Sequence, residues 1–521
     1  MKLLLKNGTV YDGTGDHAFV ADVLIEDERI VGISPHMEAQ ADKIIDCTGL
    51  CIAPGFIDGH SHNDFYIEKE DAVPYFAPFI QQGITTQITG NCGFSPFGVS
   101  ADSIHQKQVG GGLFSTKHPS SFADFIAQSE GRLHVNIAPL IGHGTVRIGI
   151  SGTSPEAFTE AQIEEMQAHV REAMACGAFG GSLGLMYEPG MYAKKDELVA
   201  FAKEIAAHDG MLTVHPRACS KVALGYRPIF SKPHIELALD EVAQIAKEAG
   251  VKLHYSHLIH VGKATWKYSD RLLKKIHALG MTYDLYAYCH GASVITVILP
   301  PWYLGLPVEK RKDKFVQFRL KLLINITRKL LGIDFDDFTI ADIDAEYEQY
   351  RGKNIAEIAE AEGRSKIDMY IKLVELSNGQ ARIFIGNYNN EEIIRKLMTD
   401  ERSMFMTDAW VEESGTQNHA SYQCFPYFLV KAREADLPLE RIIHKMTGKT
   451  AARFGIAERG SIKIGNFADI TVFDYDGLKV FNDAPDKTPE GIKHVLINGN
   501  LLVEDGAYQP KMCGKMLLKR K

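Results

Sequence analysis

The sequence has no long apolar run, and none of its stretches approaches the ~18 consecutive apolar residues that a membrane-spanning helix needs. The apolar residues at the N-terminus, Leu3-Leu4-Leu5, are too few for a signal peptide. The eight cysteines are scattered, without CxxC pairs or the framework of a small disulfide-rich domain. We therefore predict a cytoplasmic protein whose cysteines are free thiols and whose partners do not include a membrane.

A concentration of positive charge is also missing. The net charge is −9, and acidic and basic residues are mixed along the chain, so no basic surface for a phosphate backbone is indicated. Nucleic acid is therefore not expected as a partner, while a homo-oligomer stays open. The 521 residues, 45% of them hydrophobic, suffice for one large domain and a smaller one.

The two ends of the chain share a sequence pattern that predicts short β-strands. Short alternating apolar runs separated by turns occur at 3–5, 21–25 and 29–33, and they return at 469–473 and 494–500. We predict that residues 1–55 and 456–521 together form one small β-sandwich domain.

The middle of the chain follows a different pattern, in which short apolar runs alternate with amphipathic stretches such as 160–176, 235–249 and 269–279. This βα rhythm is typical of a parallel sheet with crossover helices. About eight candidate strands over roughly 350 residues fit a (β/α)₈ TIM barrel, an α/β fold, over residues 56–455, with a helical insertion near 309–376. The strands end near His60, Gly90, Ile141, Ser182, His215, His257, Tyr288 and Asp408.

The most informative segment is Pro54-Gly55-Phe56-Ile57-Asp58-Gly59-His60-Ser61-His62, in which an apolar strand ends in His-x-His. The period of two in a strand places His60 and His62 on one face, so both imidazoles can reach a common metal. A pair with this spacing is by itself more often a coincidence than a ligand pair. The surrounding residues make the metal site the better interpretation.

This segment resembles the first-strand motif of the amidohydrolase superfamily. Further segments resemble its N-acyl-D-amino-acid deacylase (D-aminoacylase) branch, and the similarity extends over nearly the whole chain. They are Thr89-Gly90-Asn91-Cys92-Gly93, Gly142-His143-Gly144-Thr145, Gly184-Leu185-Met186-Tyr187-Glu188-Pro189-Gly190, Ser256-His257-Leu258 and Asp284-Leu285-Tyr286-Ala287-Tyr288. The resemblance implies a metal-dependent hydrolase of carbon–nitrogen amide bonds, with a small-molecule amide as its substrate.

The resemblance also implies a set of metal ligands. In the deacylase branch the cysteine that matches Cys92 binds metal, and thiolate with imidazole selects zinc. Cys92, His215 and His257 would then hold one tight zinc, and His60, His62 and Asp408 would bind or line a second, weaker metal position. A buried thiol without a ligand role is the simpler interpretation of Cys92 taken alone.

The resemblance implies a catalytic role for Asp408, which follows the apolar residues Met404-Phe405-Met406 where the eighth strand should end. The matching aspartate is the general acid/base, which takes a proton from the attacking water and returns it to the leaving nitrogen. Considered alone, a solvated loop aspartate is an equally good interpretation.

The sequence departs from the deacylases at two positions. Their substrate-holding lysine and arginine are replaced by Ile259 and Ala420, so a free carboxylate on the substrate would lack its cations. We therefore expect an altered substrate preference. A positive charge could come instead from another basic residue near a predicted strand end: Arg147, Arg217, His260, His290 or His419. The candidate substrate-binding residues are Tyr187, Arg217, Tyr286, His290 and His419.

Two other functions stay open. The same metal site could open a cyclic amide, imide or lactone, because barrels of this kind change substrate through their loops. A catalytically inactive metal-binding or scaffold protein is the third hypothesis, and the retention of Asp408 argues against it.

Overall fold

The computed structural model describes residues 1–110, 114, 116, 117, 119–223 and 232–520. The strands in this part of the chain are β1 (Lys2–Val10), β2 (Phe19–Glu26), β3 (Arg29–Ser34), β4 (Lys43–Asp46), β5 (Cys51–Pro54), β6 (Phe56–Asp58), β7 (Ile84–Thr89), β8 (Asn136–Gly142), β9 (Gly180–Gly184), β10 (Met211–His215), β11 (Lys252–Tyr255), β12 (Thr282–Leu285), β13 (Gly291–Val294), β14 (Phe338–Asp342), β15 (Arg382–Ile385), β16 (Ser403–Phe405), β17 (Ile470–Phe473), β18 (Ile492–Ile497), β19 (Asn500–Glu504) and β20 (Ala507–Tyr508).

The α-helices of the same residues lie mostly between the strands of the middle region. They are α1 (Val73–Ile80), α2 (Phe122–Ser129), α3 (His143–Ser151), α4 (Glu160–Ala175), α5 (Lys195–Ala207), α6 (His234–Ala249), α7 (Lys263–Trp266), α8 (Ser269–Ala278), α9 (Pro301–Leu304), α10 (Val308–Arg311), α11 (Lys314–Leu331), α12 (Ile355–Ala361), α13 (Lys366–Leu376), α14 (Glu391–Thr399), α15 (His419–Glu434), α16 (Leu439–Met446) and α17 (Gly448–Phe454). Short 3₁₀ helices span Asn63–Tyr66, Gln106–Gln108, Gly190–Tyr192, Ile295–Ile298, Phe335–Asp337 and Ala345–Tyr350.

Eight parallel strands form the barrel, in the order β6-β7-β8-β9-β10-β11-β12-β16. The first and eighth strands are joined by two backbone hydrogen bonds, from Gly59 to the Phe405 carbonyl (3.1 Å) and from Asp408 to the His60 carbonyl (3.0 Å). Most strand residues are buried because helices cover the outer face, as in other barrels of this type. The predicted TIM barrel is confirmed.

Strands from both ends of the chain form a second, separate sheet. Its nine strands run β20-β19-β18-β17-β5-β1-β2-β3, with β4 paired to β1. The link between the two ends is the antiparallel pair of β5 and β17. Val10, Val23, Ile52, Ile470 and Leu496 belong to its apolar cluster, so strands from both ends share one core.

A long excursion leaves the barrel between β12 and β16. The helices α10 to α13 occupy much of the segment in which the sequence predicts a helical insertion near 309–376. The excursion also contains an antiparallel sheet of order β13-β15-β14 and has its own apolar cluster, which includes Leu320, Phe338 and Tyr370. These three strands have four or five residues each and lie outside the repeating βα alternation that marks the equally short barrel strands, so sequence reasoning misses this sheet.

None of the helices in the described residues combines the length and the apolar character needed to cross a bilayer.

Candidate metal centre and active site

Five predicted ligands follow strands at one end of the barrel, the end at which the carboxyl termini of parallel strands meet. His60 and His62 come directly after β6, Cys92 follows β7, and His257 follows β11. The fifth, His215, is the last residue of β10. All five side chains are buried, and Asp408, three residues beyond β16, is partly exposed.

The potential ligand atoms of these residues fall into two groups that share one atom. One group contains His60, His62, Cys92 and Asp408, and the other contains Cys92, His215 and His257; within each group the atoms lie within 4.8 Å of one another. The Cys92 sulfur is the shared atom. It lies 3.3 Å from His60 Nε2, 3.6 Å from His215 Nδ1 and 3.7 Å from His257 Nε2.

These separations fit a metal ion. Ligands at zinc bond lengths of 2.0–2.3 Å in a tetrahedron are about 3.3–3.8 Å apart. The sulfur-to-nitrogen distances fall within that range, and so do those from Asp408 Oδ1 to His60 Nε2 (3.4 Å) and His62 Nε2 (3.6 Å). A thiolate, imidazoles and a carboxylate are also the ligand types that zinc takes. The residues therefore fit zinc, and the Cys92 sulfur could serve as a ligand in either group.

The backbone at this centre adopts a conformation that is rare outside glycine. Cys92, His257 and Asp408 have φ angles of 52°, 37° and 46°, in the left-handed region. Such residues cost roughly 1–3 kcal/mol each and persist where the surrounding structure enforces them, which is typical of functional sites.

Asp284, near the end of β12, helps to hold two of the predicted ligands in position. Its Oδ2 accepts a hydrogen bond from His254 Nε2 at 2.9 Å and lies 3.6 Å from His60 Nδ1. Its Oδ1 accepts a hydrogen bond from the backbone N–H of His257. A carboxylate behind a metal-binding imidazole fixes the ring orientation and tautomer. The sequence motif contained Asp284 without suggesting this role; a carboxylate at the end of an apolar strand was the available signal.

Burial and charge set the protonation of the ligand groups. Burial lowers the pKa of His62, His215 and His257, which favours the neutral imidazole that binds a metal. Burial also raises the pKa of the Cys92 thiol, and the neighbouring His60 offsets part of that rise.

The pKa of Asp408 changes in the opposite direction. Burial alone would raise it, but the charge of His60 and the hydrogen bond from His62 hold it well below its ordinary value. The carboxylate is therefore ionised at neutral pH and able to accept a proton.

Asp58 anchors the loop that carries Asp408. Its carboxylate accepts hydrogen bonds from the backbone N–H of Thr407 at 2.9 Å and the hydroxyl of Thr407 at 2.6 Å. It also accepts one from the backbone N–H of His60 at 3.2 Å. One buried carboxylate thus fixes the loops after the first and eighth strands relative to each other.

The predicted substrate-binding residues occupy three different surroundings. Tyr187 and Tyr286 lie near the centre: the Tyr187 ring is 4.5 Å from that of His215, and the charge of Asp408 raises the pKa of both phenols further than burial alone. Arg217 forms an ion pair with Glu241 at 3.0 Å. His290 and His419 lie 5.4 Å from each other, each also 5.4 Å from Tyr288.

The structure also shows an aromatic wall that the sequence does not indicate. The ring of Phe114 stacks on His62 at 4.8 Å, and Trp410 contacts both rings edge-on, at 5.7 Å from His62 and 4.9 Å from Phe114. These residues are far apart in the chain, so only the fold brings them together.

Comparison with known proteins points to one family. Residues 406–503 match the model of the Amidohydrolase family. The chain is 28% identical to the D-aminoacylase of Alcaligenes xylosoxydans xylosoxydans, over 99% of this chain and 97% of that protein. It is 29% identical to the N-acyl-D-glutamate deacylase of the same organism, over 96% and 93% of the two chains.

Two solved structures extend the comparison. A D-aminoacylase described by its binuclear metal centre superposes with a TM-score of 0.79 at 26% identity, over 99% of both chains. The N-acyl-D-glutamate deacylase of Bordetella bronchiseptica, solved with zinc and a phosphonate inhibitor, gives a TM-score of 0.76 at 25% identity, also over 99% of both chains.

Proposed function

From the membership of this chain in the amidohydrolase superfamily, in its D-aminoacylase branch, we propose that it hydrolyses the amide bond of an acyclic N-acyl compound with zinc. The observation that carries the proposal is the position of Cys92, whose sulfur belongs to both groups of ligand atoms at the mouth of the barrel. The barrel mouth is where enzymes of this fold carry out their chemistry.

Cys92, His215 and His257 would hold the tighter metal, because a thiolate with two imidazoles is a soft set that zinc prefers. His60, His62 and Asp408, together with the shared sulfur, would form a second and weaker position. When bound, zinc lowers the pKa of a water to about 7 and polarises a carbonyl oxygen.

Asp408 would move the proton. Its carboxylate is ionised, and its side chain is 23% exposed, so a substrate in the barrel mouth can reach it. One carboxylate oxygen would accept a proton from the attacking water and return it to the leaving nitrogen. Asp58 would hold this loop in place through Thr407.

The substrate would carry a neutral group at the position where the substrates of D-aminoacylases carry a free carboxylate. Ile259 and Ala420 are buried in the main apolar cluster. Arg147 and Arg217 are engaged by Glu197 and Glu241, and burial lowers the pKa of His260 and of His290 to about 4. Each of these four candidates among the described residues is thus paired with a carboxylate or uncharged at neutral pH, and burial lowers the pKa of His419 as well.

A substrate screen tests the reaction. Zinc-loaded enzyme would be offered acyclic N-acyl amides and cyclic amides, imides and lactones, with products identified by mass. We expect two fragments from an acyclic amide and loss of turnover after chelation. Ring-opened acids alone would support the cyclic-amide alternative. Folded, zinc-loaded protein that turns over no compound of either class would support the scaffold hypothesis.

Metal content tests the ligand assignment separately from the substrate. We expect about one tightly bound zinc per chain, with most of it lost in Cys92→Ala because the shared sulfur disappears. Cys176→Ala, just beyond α4 and outside both ligand groups, is the matched control and should keep its zinc. Equal zinc in the two variants, measured by elemental analysis, would contradict the assignment.

A further inference from the structure

An exposed apolar stripe runs along α11, in the excursion between β12 and β16. Phe315, Phe318, Leu322 and Ile326 are 73%, 66%, 50% and 44% exposed. At 100° per residue their spacing places all four within an arc of about 80°. The buried residues of the helix, Leu320, Ile324 and Leu331, lie on the opposite side, where they join the apolar cluster of the excursion.

The charge around this stripe is opposite to that of the whole protein. Residues 309–331 contain eight basic and two acidic residues, a net charge of +6, whereas the chain carries −9. Lys314 and Arg319 flank the stripe and Lys329 lies near its end, and all three are exposed. The surface thus combines large apolar side chains with positive charge.

We propose that α11 binds the surface of an anionic lipid bilayer, lying in the interface with its apolar stripe inserted. Helices that bind in this way have an apolar face with basic flanks. The bilayer takes up the apolar side chains, and its anionic headgroups pair with the basic residues. A symmetric dimer through the same stripe would place two basic helices against each other, which like charges disfavour. The sequence predicts no membrane partner because no apolar run is long enough to cross a bilayer. A helix that lies on the bilayer surface does not need such a run.

The C-terminal end of α11 contacts the loop that follows β11. Gly332 caps the C-terminal end of the helix, and its carbonyl accepts a hydrogen bond from the backbone N–H of Lys263 at 3.3 Å. Lys263 begins α7, in the loop that follows β11 and carries His257. Binding through α11 would therefore link the loop that carries His257 to the element that contacts the lipid.

Vesicle co-sedimentation tests the proposal with the zinc-loaded full chain. The two probes are vesicles of phosphatidylcholine alone and of equal parts phosphatidylcholine and phosphatidylglycerol. We expect at least ~10-fold stronger partition to the anionic vesicles at low salt, reduced by high salt because the attraction is screened. Phe315→Ser/Phe318→Ser should lower that partition at least ~10-fold, since it removes the two most exposed apolar side chains of the stripe.

Controls separate the stripe from general stickiness and from misfolding. Ile104→Ser removes a side chain that is 89% exposed outside the excursion and should leave partition unchanged. Leu322→Ser/Ile326→Ser repeats the test elsewhere on the stripe if the first variant melts at a lower temperature. The proposal is overturned if the parent does not sediment with anionic vesicles or if the stripe variants sediment like the parent. It is also overturned if ultracentrifugation shows a dimer that the stripe variants dissociate.

Discussion

Asp408 combines a left-handed backbone, an ionised carboxylate and partial exposure. Asp408→Asn keeps the size of the side chain and a ligand oxygen but cannot accept the proton. We expect it to bind zinc nearly as well as the parent and to lose at least ~10²-fold in kcat, within the 10²–10⁴ that a general acid/base contributes. Zinc analysis and steady-state kinetics on the same preparation measure both. Near-normal turnover would assign proton transfer to another residue.

Ile259 and Ala420 lead to a prediction about specificity. An N-acyl-D-amino acid and its primary amide differ at one group, which is a charged carboxylate in the first and a neutral carboxamide of similar size in the second. Because a carboxylate would lose its charge-assisted hydrogen bonds in this site, we expect kcat/KM to favour the neutral amide by at least ~10-fold. Equal or better turnover of the free acid would mean that another residue pairs with it. His290, His419 and Arg217 would then be the first positions to substitute.

The sequence could predict which residues lie together where those residues stand at strand ends. His60, His62, Cys92, His215 and His257 are found that way, because strand ends of a barrel converge on one mouth. The contact of Phe114 and Trp410 with His62 could not, since it depends on how loops pack across the mouth. The pairing of Arg217 with Glu241 likewise required the position of α6.

At the scale of elements, the turn that ends β7 sets the position of Cys92. Gly90 has a φ of 78°, and a Cβ atom there would collide with the Leu140 carbonyl oxygen of the neighbouring strand. The chain can leave β7 and reach Cys92 in this way only without a side chain at this position.

Gly90→Ala should therefore destabilise the protein by roughly 2–4 kcal/mol, from left-handed strain together with the collision. Gly250→Ala is the matched control: its φ is 71°, but no heavy atom lies within 4 Å of the added Cβ. We expect the control to lose only about 1 kcal/mol. Urea unfolding of both variants measures the difference, and equal losses would show that the contact with Leu140 relaxes freely.

The βα alternation of the barrel was predictable from the sequence because each unit repeats the same periodicity over many residues. The eight predicted strand ends lie within three residues of the observed ends. The excursion was less predictable: β13 and β14 lie more than forty residues apart and meet only through β15. Pairings of this kind leave no local pattern.

For the whole molecule, buried histidines predict sensitivity to acid. Burial lowers the pKa of His260 from 6.5 to about 4. Between these two pH values His260 is protonated in the unfolded chain and neutral in the folded protein. Stability therefore falls as the pH drops through this window, by about 2 kcal/mol between pH 7 and pH 5 from this residue. Between pH 7 and pH 5 the free energy of unfolding of His260→Asn should therefore fall by about 2 kcal/mol less than that of the parent, as measured by urea unfolding. The residues proposed as metal ligands are the same in both proteins, so a matching loss would contradict the assignment of this acid sensitivity to His260.

The terminal sheet has a consequence for how the protein is made. β5 pairs with β1 on one side and with β17 on the other, so its second edge has no partner until the last barrel units have been synthesised. At 5–20 residues per second, the ~400 residues between β5 and β17 take roughly 20–80 s to translate. For that time β5 has unpaired backbone N–H and C=O groups along one edge. Such an edge can pair with a strand of another chain, which leads to aggregation or domain swapping.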